Sequence, residues 1–123
     1  MNKFPRIALL SFHTSPLATL GGSVSGGMNV YIREISKRLI DKGFQVDIFT
    51  RREGQELPSI LELSDGLRLF NIDAGPPIVV NKNDLSSWID NFTTSVKKLL
   101  KILIMTMTLF FHIIGYRCWL EKL

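Results

Sequence analysis

Four consecutive apolar residues, Ile7-Ala8-Leu9-Leu10, stand between Pro5 and a polar stretch. A strand with one wet face alternates apolar and polar residues. An unbroken run instead fits a strand covered on both faces, as inside a parallel sheet flanked by helices. The next segments agree. From Met28 to Lys42, the residues Met28, Tyr31, Ile32, Ile35 and Leu39 recur at helical spacing, while Arg33, Glu34, Lys37, Arg38 and Asp41 fill the other side. Gly43 stands where a helix C-terminal glycine belongs. Phe44 to Thr50 is rich in Val, Ile and Phe, as expected of a second strand. Strand, helix and strand make a βαβ unit, so the fold class is α/β with a Rossmann-like parallel sheet.

Farther along, Leu57 to Leu63 and Leu67 to Ile72 are short apolar segments separated by Ser64, Asp65 and Gly66, a spacing that predicts a hairpin or a pair of edge strands. Ala74-Gly75-Pro76-Pro77 then interrupts the pattern. A second helix is expected from Asp84 as N-cap, with Leu85, Trp88, Ile89, Phe92, Val96, Leu99 and Leu100 on one face. No repeat, low-complexity tract or flexible linker divides the chain, which argues for one domain.

At 123 residues and 46% hydrophobic content there is material for one modest core. The net charge of +4 comes from 15 Lys and Arg against 11 Asp and Glu, scattered as pairs such as Lys37-Arg38, Arg51-Arg52 and Lys97-Lys98. A nucleic-acid footprint would be a clustered basic face, so no nucleic-acid partner is expected. Arg51-Arg52 read as the end of a strand in solvent. Cys118 is the single cysteine; it excludes an internal disulfide or a cysteine-based metal site and fits a reducing compartment, here the cytoplasm. The run Ile7 to Leu10 is too short for a secretory signal.

The stretch GGSVSGGMN, Gly21 to Asn29, puts two glycine pairs directly before the first helix. It is not a dinucleotide fingerprint. The glycines arrive well after the strand, no G-x-G-x-x-G can be read across them, and no Gly-Lys-Ser/Thr follows. A turn without side chains does let an anionic group approach backbone N–H groups at the positive end of a helix. A tight turn with no ligand is the plainer alternative.

FHTSPLATLGGSVSGGMNVYIREISKRL, Phe12 to Leu39, and GFQVDIFTRR, Gly43 to Arg52, resemble the N-terminal domain of retaining glycosyltransferases of the sucrose-phosphate synthase and inositol-phosphate glucosaminyltransferase group. The likeness is carried by HTSP at His13 to Pro16, GGMNVY at Gly26 to Tyr31 and FTR at Phe49 to Arg51. AGP at Ala74 to Pro76 and K-x-D-L at Lys82 to Leu85 continue it in order. It implies the acceptor-side, N-terminal half of a GT-B glycosyltransferase, incomplete as written. The parent activity would move a hexosyl group from a nucleoside-diphosphate sugar to a sugar, sugar-phosphate or inositol-phosphate acceptor with retention. Gly26 and Gly27 would meet the donor diphosphate, and His13, Thr14, Asn29 and Lys82 the acceptor, Lys82 through an acceptor phosphate. No cofactor and no metal are implied. Each residue also has a local explanation: His13 satisfying backbone groups, Asn29 capping its helix, Lys82 solvated on a loop.

After Lys101 the character changes. Ile102 to Ile114 carries no charge, yet a membrane span needs about 20 apolar residues, so a membrane partner is not expected. The resembling family has at this point a strand of the type Y-D-I-I-H-S-H-Y-W-L-S. Reading the codons from Ile104 two bases later permits much of that pattern. The division expected is therefore residues 1–101 as a partial glycosyltransferase domain and 102–123 as an out-of-frame apolar tail, with little or no turnover by this chain alone. The alternative is a non-catalytic α/β module, membrane-associated through its C-terminal apolar segment. A nicotinamide-dependent half-domain lacks its fingerprint.

Overall fold

The computed structural model describes residues 6–12, 27–103 and 111–114. Among these residues five strands form one sheet in the order β3-β4-β2-β1-β5: β1 is Arg6–Ser11, β2 Gln45–Arg51, β3 Ile60–Ser64, β4 Leu67–Ile72 and β5 Phe111–Ile114. β1 pairs parallel with β2 and with β5, and β2 pairs parallel with β4; β3 alone runs antiparallel, against β4. The expected hairpin is thus present, closed by Gly66 at φ 84°. It forms one edge of an otherwise parallel sheet.

The parity of the strands explains the layers. Ile7, Leu9, Val46, Ile48 and Leu69 form one core with Ile32 of helix α1, Gly27–Asp41. The alternate residues Ala8, Leu10, Phe49 and Phe70 form a second core with Phe92, Val96 and Leu100 of helix α2, Ile89–Leu103. An apolar run in β1 therefore supplies both faces, which is why it does not alternate. Within the second core, Phe49 stacks on Phe70 with ring centroids 4.8 Å apart, and Phe12 meets Phe92 edge-on at 5.0 Å. Each such pair is worth about 1 kcal/mol beyond its buried area.

α1 begins one residue earlier than the periodicity suggests and ends in a Schellman motif. Gly43 takes φ 97°, its N–H reaches the Ile40 carbonyl at 2.9 Å, and that of Phe44 reaches Leu39 at 3.0 Å. Its buried stripe is also rotated from the expected one. Ile32 and Ser36 are inside, with Ser36 Oγ donating to the Ile32 carbonyl at 2.7 Å, whereas Tyr31 is 45% exposed. Ser36 is tolerated inside because its hydroxyl bonds the preceding turn.

The second helix corrects the N-cap expected at Asp84. A 3-10 turn, Lys82–Trp88, precedes α2, and its cap is Asn81, whose Oδ1 accepts from the Asn83 N–H at 3.1 Å. Asn and Asp are equivalent N-cap residues, and the chain uses the earlier one. Asp84 lies exposed inside the first turn. Residues three apart eclipse in a 3-10 helix, so Leu85 and Trp88 still face the core that Ile89 and Phe92 enter. α2 continues past Lys101 to Leu103, and Phe111–Ile114 joins the sheet beside β1. The apolar segment after Lys101 thus contributes a strand.

Candidate functional site

Right-handed crossovers decide where a ligand can sit. The step from β1 through α1 to β2 moves toward one edge of the sheet, and the step from β4 through α2 to β5 moves back past β1 toward the other. With one handedness for both, the two helices must cover opposite faces, as the two cores show. The order therefore reverses between β1 and β5, and open α/β sheets place their ligands outside the carboxyl ends of the strands at such a reversal.

Two segments converge on that end. α1 starts there at Gly27, placing Gly27 and Asn29 in its first turn, where helix N–H groups have no intrahelical acceptor. The 3-10 turn starting at Lys82 also lies on the carboxyl side of β4, on the opposite face from α1. The sequence-selected Gly27, Asn29 and Lys82 are thus brought to one end of the sheet by its topology. His13, Thr14 and Gly26 lie outside the described residues.

The residues that sequence reasoning missed sit at the same end. Arg51, expected in solvent, is 2% exposed. It ends β2 in phase with Phe49 on the α2 side, and its guanidinium donates to the carbonyls of Ala74 at 3.3 Å, Pro76 at 2.7 Å and Ile78. Arg52 is tied down as well, through Asp73 at 2.7 Å, the Leu57 carbonyl and Ser59 Oγ at 2.8 Å. Loop carbonyls receive Arg51, and a mixture of a carboxylate, a carbonyl and a hydroxyl receives Arg52. Burial works against the charge of Arg51, partly offset by Glu53. Burial likewise pushes the Glu53 carboxyl above its ordinary range, with Arg51 opposing.

On the α1 side, Ser11, Thr50 and Asn71 are register partners across β1, β2 and β4, forming a buried polar row just inside the carboxyl ends. Asn71 Nδ2 donates to the Pro58 carbonyl at 2.8 Å, whereas Thr50 Oγ1 has no hydrogen-bond partner among the described residues. No group of three or more His, Cys, Asp or Glu side chains among the described residues could hold a metal ion.

Searched against family models, the sequence matches none. Individual proteins match strongly. Over 91 residues, 74% of this chain, it is 44% identical to a D-inositol 3-phosphate glycosyltransferase of Kineococcus radiotolerans. A second, D-inositol 3-phosphate glycosyltransferase 1 of Catenulispora acidiphila, is 46% identical over the same length. The chain is a glycosyltransferase homologue. It spans about a fifth of the length of the curated relatives it matches, 21% and 22% of these two. Its α/β fold matches sucrose-phosphate synthase from Thermosynechococcus elongatus with a TM-score of 0.74 and 31% identity, covering 79% of this chain and 24% of that one. In this glycosyltransferase homologue no helix among the described residues is long and apolar enough to cross a membrane. α2 instead exposes Lys97, Lys98 and Lys101.

Proposed function

We propose that this chain forms the acceptor side of a hexosyl transfer from a nucleoside-diphosphate sugar to an inositol phosphate or sugar phosphate, with retention of configuration. What supports the reading is that the α1 N-terminus, which follows β1, and the Lys82 turn, which follows β4, both belong to the carboxyl end of one parallel sheet, in a chain 44% identical over 91 residues to a D-inositol 3-phosphate glycosyltransferase. In this reading the backbone at Gly26 and Gly27 approaches the donor diphosphate, where N–H groups and the helix dipole favour an anion. His13, Thr14 and Asn29 line the acceptor crevice, and the Lys82 ammonium takes the acceptor phosphate as a point charge. Transfer itself requires charge placed on the leaving diphosphate, which the acceptor side does not supply. Residues 1–101 carry the family character; 102–123 are read as out of frame with it, which the nucleotide sequence tests.

Titration of the full chain with D-inositol 3-phosphate, followed by amide chemical shifts, tests the acceptor assignment. Saturable binding is expected, weakened about tenfold by Lys82→Met through loss of a charge-assisted contact. Equal affinity for unphosphorylated inositol would remove the phosphate from the reading.

A further inference from the structure

We propose that Arg51 is a positioning residue for the acceptor phosphate, acting by fixing the backbone segment that leads into Lys82. The proposal rests on the acceptor reading of Lys82. Residues 74–78 cannot be held by the sheet as a strand would be, because Pro76 and Pro77 have no N–H to donate. Their carbonyls point instead to one guanidinium. Ala74, Pro76 and Ile78, alternate residues along the segment, all accept from Arg51, whose side chain is buried at the carboxyl end of β2.

The other side of the segment is gripped too. Gly75 adopts φ 75°, and its backbone presses on the Trp88 indole so closely that an added Cβ would fall 2.4 Å from Cδ2. Trp88 closes the 3-10 turn that Lys82 opens. Between these points Val80 packs on the α2-side core and Leu85 is buried in it. The segment is therefore clamped between β2 and the turn. Moving residues 74–78 moves the start of the turn.

A planar fork with five donors reaches three carbonyls at once; a lysine ammonium in the same place is a point with a shorter reach. Arg51→Lys thus keeps the charge and loosens the clamp. The experiment is a double-mutant cycle on the full chain with Arg51→Lys, Lys82→Met and the double variant, titrated with inositol phosphate. Arg51→Lys is expected to weaken binding about fivefold and Lys82→Met about tenfold, charge-assisted contacts being the stronger class. The double variant is expected to bind as Lys82→Met does, since no ammonium remains to be positioned; coupled residues behave non-additively in this way. A merely structural Arg51 gives losses that multiply. That result, or unchanged binding by Arg51→Lys, overturns the proposal and leaves the acceptor reading standing. Unchanged binding by Lys82→Met removes the acceptor reading and the positioning role with it. If Arg51→Lys loses the native circular-dichroism spectrum, Gly75→Ala displaces the same segment from the Trp88 side with Arg51 intact. The same cycle with Lys82→Met then applies, with non-additivity expected and multiplied losses or unchanged binding overturning the proposal.

Discussion

Asp47 and Arg51 lie four residues apart on the same strand, point to the same side of the sheet and are both buried, but the two ends they occupy are built on different principles. At the amino end Asp47 meets opposite charge. Arg6 donates to its Oδ1 at 3.0 Å and Arg68 forks across both oxygens at 2.8 and 2.7 Å, with its guanidinium 5.2 Å from the Phe70 ring centroid. The hydrogen bond to Asp47 holds Arg68 above the ordinary guanidinium range. One carboxylate thus ties β1, β2 and β4 together crosswise. At the carboxyl end Arg51 meets backbone dipoles, and what it holds is a loop. Ion pairs between strands fix architecture, whereas a cation on loop carbonyls fixes a position that a ligand can feel.

The contrast can be broken most forcefully at Asp47. Asp47→Asn removes the counter-charge of two arginines, and a loss of about 3 kcal/mol is expected, at the low end for a buried pair because both arginines keep some contact with water. Urea unfolding measures it. Phosphate affinity of the folded variant should be unchanged, and a parallel fall in affinity would show the two ends to be one coupled unit. Thr50→Val has the opposite sign. It removes a buried hydroxyl without a hydrogen-bond partner among the described residues and puts a methyl of similar shape in its place, so a gain of about 1 kcal/mol is expected in the same assay. An equal loss would mean that the hydroxyl is satisfied in solution.

The smallest effect sharpens the picture at Glu53. Its folded-state pKa is raised, chiefly by burial. Its favourable contribution is therefore present below the unfolded pKa and fades as pH rises through the raised one. At neutral pH the carboxylate is a slight liability. Glu53→Gln should flatten the stability profile on the acid side of neutral and raise neutral stability by no more than about 0.5 kcal/mol, given the residue's partial exposure. Superimposable profiles for parent and variant would contradict the assignment.

β1, α1 and β2 were legible in the sequence because their periodicities are long and Gly43 punctuates them. Carrying the same period of two one step further would have found Arg51: a residue in phase with Asp47 and Phe49 points inward whatever its charge. The start of the second helix was misread because Asn81 and Asp84 offer equivalent caps, and only the packing of Leu85 and Trp88 chooses between them. β5 could not be read from four residues, since it exists through its pairing with β1. The site was half legible. Gly27 and Lys82 stood out as motifs, but their placement at one end of the sheet depends on β1, β2 and β4 running parallel. That is a long-range property no local pattern records.

The hairpin leaves the sheet with unlike flanks. On β3 the exposed positions are Ile60, Glu62 and Ser64, and a bulge between Glu62 and Ser64 bends the backbone away from the straight line another strand would need. A foreign chain arriving there meets curvature and a carboxylate, both of which discourage intermolecular pairing. Stacking of one molecule's sheet on another's is therefore steered away from this rim.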